Sequence, residues 1–105
     1  MKILIDPNGV WCHGSPEKLT ELRAGSTITQ WCALAEAFAH KPSALFYEDD
    51  GRIVHNGVQP GSLYEIDEPI QIGTDAQLHP YSTMDAGTEF LIMRPLKVKK
   101  IADLP

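Results

Sequence analysis

Ile28, Trp31, Cys32, Ala35, Phe38 and Ala39 recur at i, i+3, i+4, i+7, i+10 and i+11, the spacing that gives a helix one continuously apolar face. Thr27 stands before the run as a capping hydroxyl, and Gln30, three residues on, completes a capping box. Lys41-Pro42 ends it, because the residue before proline is pushed out of helical space. The spacing predicts one main amphipathic helix over about 28–40, lying across the core.

The rest of the chain carries strand and turn signals. Lys2 to Ile5 is a short apolar run stopped by Asp6-Pro7-Asn8-Gly9, which predicts a first strand and a turn. Ser15-Pro16-Glu17 has the form of a helix start, but Leu19 to Arg23 also fits a strand, so 16–24 is open between the two. Ala44 to Glu48 and Arg52 to His55 flank Asp49-Asp50-Gly51 as a hairpin. Leu63 to Ile66 and Ile70 to Ile72 follow as short strands. Phe90 to Met93 is apolar on both faces, as in a central strand. After Pro95, Leu96 and Val98 alternate with Lys97 and Lys99, the pattern of an edge strand guarded by lysines. Residues 74–87 show no period and predict a working loop.

A strand, a helix and then several strands read as an α+β class, with the 28–40 helix packed on a mostly antiparallel sheet. That order, with the helix opening at Gly25-Ser26-Thr27-Ile28, resembles a β-grasp domain over the first two thirds of the chain. The sequence ends Ala102-Asp103-Leu104-Pro105, without the terminal Gly-Gly that ubiquitin-like and sulfur-carrier members use, so the resemblance implies no carrier role.

With 105 residues, 43% hydrophobic and 22% charged, the chain has the size and composition of one folded domain. No apolar run approaches the roughly 18 residues of a membrane span, and the apolar start turns polar at Asp6, too soon for a leader peptide. Two cysteines in such a chain read as free thiols in a reducing, cytoplasmic setting. No cofactor is expected, since neither a phosphate-binding glycine loop nor a dinucleotide fingerprint is present.

The formal charge of -5 is unevenly spread. Residues 1–41 are neutral. Residues 42–90 set Arg52 alone against nine acids, Glu48, Asp49, Asp50, Glu65, Asp67, Glu68, Asp75, Asp85 and Glu89, and the last fifteen residues carry +3. Such asymmetry bears on partners rather than on fold. It predicts a small interaction module that binds a basic protein surface through Glu48, Asp49, Asp50, Glu65, Asp67, Glu68 and Asp75, with His79, Tyr81 and Asp85 from the 74–87 loop. Against a nucleic-acid-binding protein, these carboxylates would occupy phosphate sites and act as an inhibitor. Direct binding to nucleic acid or to a membrane is not expected.

Two chemical alternatives stand beside that expectation. Cys32, His55 and Asp67 follow the chain order of a papain-like thiol hydrolase, which needs a thiolate, a base and a group orienting the base. Against it, Cys32 lies on the apolar stripe, where cysteine behaves as a small hydrophobe. Cys12 and His13, with Cys32 and either His40 or His79, could supply four zinc ligands, though no Cys-x2-Cys or His-x3-His pair seeds such a site.

Overall fold

The computed structural model describes residues 6, 9–48, 50, 52–80 and 88–104. The expected strand at 2–5 falls outside them, as do Asp49, Tyr81 and Asp85 of the acidic set. Among the described residues there are nine strands and one helix: β1 (Cys12–Ser15), β2 (Glu21–Leu22), β3 (Thr27–Ile28), α1 (Cys32–Ala39), β4 (Leu45–Tyr47), β5 (Ile53–His55), β6 (Gly61–Ile66), β7 (Ala76–Leu78), β8 (Phe90–Ile92) and β9 (Leu96–Leu104). No described helix is long and apolar enough to cross a membrane.

The α+β class with a main helix over 28–40 is therefore overturned, and with it the resemblance to a β-grasp domain: the protein is mostly antiparallel sheet. Thr27 and Ile28 pair with Leu91 and Phe90 of β8, and Ile28 is fully buried. The apolar residue that seemed to begin a helical face begins a strand instead, because a ladder already stands beside it. Thr29 is bridged to Cys12. Gln30 does not close a capping box; its side chain reaches back to Asp6, accepting from that residue's amide at 2.9 Å and donating to its carbonyl at 2.6 Å. Helix α1 starts only at Cys32 and has no side-chain cap at Trp31. Eight residues are too few to hold a helix in isolation, so α1 depends on what it packs against.

The open segment 16–24 resolves as turn and strand. Ser15 Oγ accepts from the Glu17 amide at 3.1 Å. The Tyr64 hydroxyl accepts from the Leu19 amide at 3.0 Å and donates to the Glu17 carbonyl at 2.7 Å, giving the backbone partners without a helix. The hairpin forms where its turn signal places it, with Leu45, Phe46 and Tyr47 opposite His55, Val54 and Ile53. Ile70 to Ile72 makes only a single bridge, Ile72 to Ala76, and Ala76–Leu78 of the expected loop is strand β7.

The sheets run β1-β6-β9-β2 and β3-β8-β7, with β4-β5 apart. The Cys12–Thr29 bridge joins β1 to β3, so the first two sheets bend together into a half-barrel. Strand β9 is not an edge: β6 lies on one side of it and β2 on the other. Strand β2 pairs with Leu96 and Lys97, and the Val98 amide donates to the Thr20 carbonyl at 3.1 Å; among the described residues no strand pairs with this flank of β9 beyond that, which accounts for the edge-like pattern. A register shift opposite Leu63 and Tyr64 leaves Ile101 as the extra residue of a bulge.

Trp11, Leu22, Ile28, Tyr64, Phe90 and Leu96 form the centre of the half-barrel core, with Trp11 and Phe90 edge to face at 5.0 Å and 78°. A second cluster of Cys12, Ala35 and Leu63 lies beneath α1. The helix sits close to the sheet because Gly14 and Gly61 carry no Cβ: one added at Gly61 would meet the Ala39 carbonyl oxygen at 2.5 Å.

Candidate functional site

Cys12 and Cys32 are joined in a disulfide, with Cα atoms 5.4 Å apart. This corrects the free-thiol reading. The pattern behind it was real, since Cys32 does face the interior, but β1 brings the buried sulfur of Cys12 to the first residue of α1. A thiol hydrolase loses its nucleophile. His55 stands at the far end of the helix, beside His40, about 12 Å along the axis from Cys32 at the usual rise per residue. Asp67 is exposed beyond β6. The proposed zinc set loses both sulfurs. His13 Nδ1 contacts the Thr27 carbonyl at 2.7 Å and His40 Nδ1 the Gln59 carbonyl at 2.7 Å, and no group of three or more ligands that could hold a metal occurs among the described residues.

The acids that are contiguous in sequence separate in space. Arg94, from the basic tail, pairs with Glu68 at 2.6 Å and Asp75 at 2.9 Å, and Lys99 approaches Glu65 at 4.0 Å. Glu68 also accepts from the Lys97 amide at 2.7 Å. That amide first, and Arg94 second, hold the Glu68 carboxyl below its usual range; Arg94 first, and the Gln71 amide second, do so for Asp75. Part of the -8 stretch is thus answered by the +3 tail, because β9 lies beside β6. Carboxylates depressed in the folded state add stability above their ordinary titration and lose it as pH falls through the folded value. Stability is expected to decline on acidification from about pH 4 downward, and Arg94→Met should flatten that decline. Melting temperature against pH for the two proteins checks it.

Glu48, Asp50 and Asp67 are exposed and take part in no ion pair among the described residues. Two of them belong to the hairpin, which shows a second feature that the acidic pattern concealed. Phe46 and Val54 are directly opposite and face solvent, 57% and 37% exposed, and Val58 just beyond is 92% exposed. Adjacent apolar residues on one exposed face are the unusual arrangement, since single ones are ordinary. The described residues hold the hairpin at its base. Asn56 Oδ1 accepts from the Ser43 and Ala44 amides, both at 3.0 Å. The His55 ring stacks on His40 with centroids 5.7 Å apart and planes 5° from parallel. His79 directly follows β7, and its amide donates to the Glu89 carbonyl at 3.1 Å.

The second concentration of chemistry is a cavity of about 440 Å³, in the range of small-ligand sites. Cys12 and Thr29 exchange both backbone hydrogen bonds, at 2.7 and 3.0 Å. Strand parity makes Gly14 and Thr27 the next ladder pair, yet the Thr27 carbonyl is taken by the His13 ring instead. The strands part there, and the opening is the cavity, lined among others by Ser26, Thr27, Phe38, Lys41 and Glu89. Burial is the main cause holding His13 below the ordinary imidazole value. The Thr27 bond opposes it, and the Lys41 charge adds to the lowering. A neutral ring then donates from Nδ1 to the carbonyl. Lys41 itself has φ 54°, the left-handed conformation that usually belongs to glycine after a helix and costs another residue about 1 kcal/mol.

The sequence singled out neither Lys41, which it read only as a helix stop, nor the Phe46–Val54 pair, which it read as ordinary strand. A period-two reading of the hairpin, asking which face has a covering element, would have found the second. Compared with protein-family models, curated proteins and solved structures, the chain matches none.

Proposed function

We propose that this chain is a non-enzymatic interaction module that docks on a basic protein surface through the β4–β5 hairpin. The observation that carries this reading is the Phe46–Val54 pair, solvent-facing on a hairpin that joins neither larger sheet, with Glu48 and Asp50 exposed beside it. Buried apolar contacts supply affinity at an interface, whereas charges around them steer encounter and select the partner. The partner is therefore a protein with an apolar notch ringed by lysine or arginine. A nucleic-acid-binding protein has such a basic surface, and the hairpin acids would compete there for phosphate sites, making the module an inhibitor. The same acids repel nucleic acid itself.

A cytoplasmic address was expected from free thiols. With Cys12 bonded to Cys32 that support is gone, and an oxidising compartment suits the bond better.

Affinity capture from the source cell, with the retained protein identified by mass, tests the docking. The expected result is one basic protein retained at low salt and released at high salt. Phe46→Ser and the pair Glu48→Lys with Asp50→Lys should each abolish its capture without changing the melting temperature. Capture indifferent to salt and to all of these substitutions would remove the reading.

A further inference from the structure

We propose that the opening between β1 and β3 takes an extended, proline-free segment of a partner protein, paired through its backbone as an added strand. This is separate from the hairpin reading and stands or falls without it. The direction of the backbone groups carries it. The Ile66 amide donates to the Trp11 carbonyl at 2.9 Å, so Trp11 and His13 turn their backbone groups toward β6, and Cys12 and Gly14 turn theirs away from it. The Ile92 amide donates to the Ser26 carbonyl at 3.0 Å, so Ser26 and Ile28 face β8, and Thr27 and Thr29 face β1. Cys12 and Thr29 meet and exchange both bonds. Gly14 and Thr27 face each other across the opening, yet among the described residues no bridge joins them.

Three backbone groups are thus left at the opening: the Gly14 amide, the Gly14 carbonyl and the Thr27 amide. The fourth, the Thr27 carbonyl, is held by the His13 ring. Successive residues of an extended chain present their amide and carbonyl to opposite sides, so a peptide lying between the strands offers one residue to Gly14 and the next to Thr27. A lone amide serves one wall only. The space is about 440 Å³, and Gly14 puts no side chain between its backbone and a guest, the setting in which another backbone approaches closely. Main-chain pairing gives added strands of this kind their affinity. The Cys12–Thr29 pair and the neighbouring disulfide close one end of the opening, which fixes where the guest must stop.

The test uses acetylated, amidated trialanine as probe, with its fully N-methylated counterpart, followed by hydrogen exchange and amide chemical shifts. In the free protein the Gly14 and Thr27 amides should exchange at least about tenfold faster than those of Cys12 and Thr29, the factor that corresponds to one net hydrogen bond. Trialanine at millimolar concentration should shift both amides and slow their exchange. The N-methylated peptide keeps the side chains but donates nothing from its backbone, and should bind at least about tenfold more weakly. Thr27→Pro deletes an amide that β8 does not use, so the melting temperature should hold while trialanine binding weakens by a similar factor. Where that variant fails to fold, the comparison of the two peptides decides alone. The proposal is overturned by unmoved Gly14 and Thr27 amides at millimolar trialanine, by equal binding of the two peptides, or by wild-type affinity in the folded Thr27→Pro protein. Shifts of the same amides that follow protein concentration without any peptide would also overturn it, by making a second copy of this chain the occupant.

Discussion

Replacing Cys12 and Cys32 together by alanine is expected to lower the free energy of unfolding by about 3 kcal/mol, the loop-closure value for a bond between residues some twenty apart. The two are separated by 20 positions, and the loop they close contains β2, β3 and Thr29, whose bridge to Cys12 lies beside the bond. The loss is large for a domain of this size, whose total stability is of the order of 5–15 kcal/mol. It should also be uneven. Helix α1 has eight residues, no side-chain cap and no acid in its first turn, so its first turn has little besides the sulfur bridge and the packing of Leu34 and Ala35 to hold it. Hydrogen exchange should therefore rise first in α1 and at the base of the hairpin that stacks on its end through His40 and His55. Denaturant titration with and without reductant checks the whole claim. Reduced wild type should match the double variant, and the double variant should ignore reductant. A wild-type midpoint unmoved by reductant would mean that the bond contributes nothing in solution.

The strands were more legible in the sequence than the architecture, and particular residues show why. The hairpin at 45–55 and the strand at 90–92 are specified by their own turns and apolar content, so local reading finds them. The main helix expected over 28–40 is overturned, with only Cys32–Ala39 helical, for a reason that no local reading reveals. Ile28 satisfies a helical stripe and a strand equally well, and what decides is the presence of Phe90 and Leu91 opposite, more than sixty positions away. Leu96 to Leu104 misleads in the same manner. Its exposed lysines belong to an edge pattern, yet two residues of β2 make its first turn-side pair interior. The charge map was accurate by segment and incomplete in space, since Arg94 returns from the tail to Glu68 and Asp75. The cavity was invisible altogether, because it exists where two strands fail to continue a ladder, and a missing pair leaves no trace in residue type.

Gly14→Ala is expected to cost about 3 kcal/mol or more, the upper end of what overpacking does, and it separates close approach from backbone freedom as the reason for a glycine. A Cβ on Gly14 would overlap the Ala35 carbonyl oxygen and stand 2.9 Å from the Ala39 amide nitrogen. Those atoms are helix backbone, which cannot turn aside as the end of a side chain can, so α1 must lift from β1 as a unit while Cys32 stays tethered to Cys12. The cavity and the His40–His55 stack at the hairpin base should both be disturbed by that movement. Gly25→Ala is the matched control. There the same methyl meets nothing within 4 Å, but φ is +92°, and only the strain of a positive dihedral remains, about 1 kcal/mol. Chemical denaturation of both variants, with near-ultraviolet circular dichroism to report on aromatic packing, distinguishes the mechanisms. Gly14→Ala should lose both midpoint and aromatic signal, and Gly25→Ala only some of the midpoint. Equal losses would mean that α1 does not sit on β1 as closely as Gly14 permits, and the cleft and the hairpin anchor, which both hang on that contact, would have to be placed again.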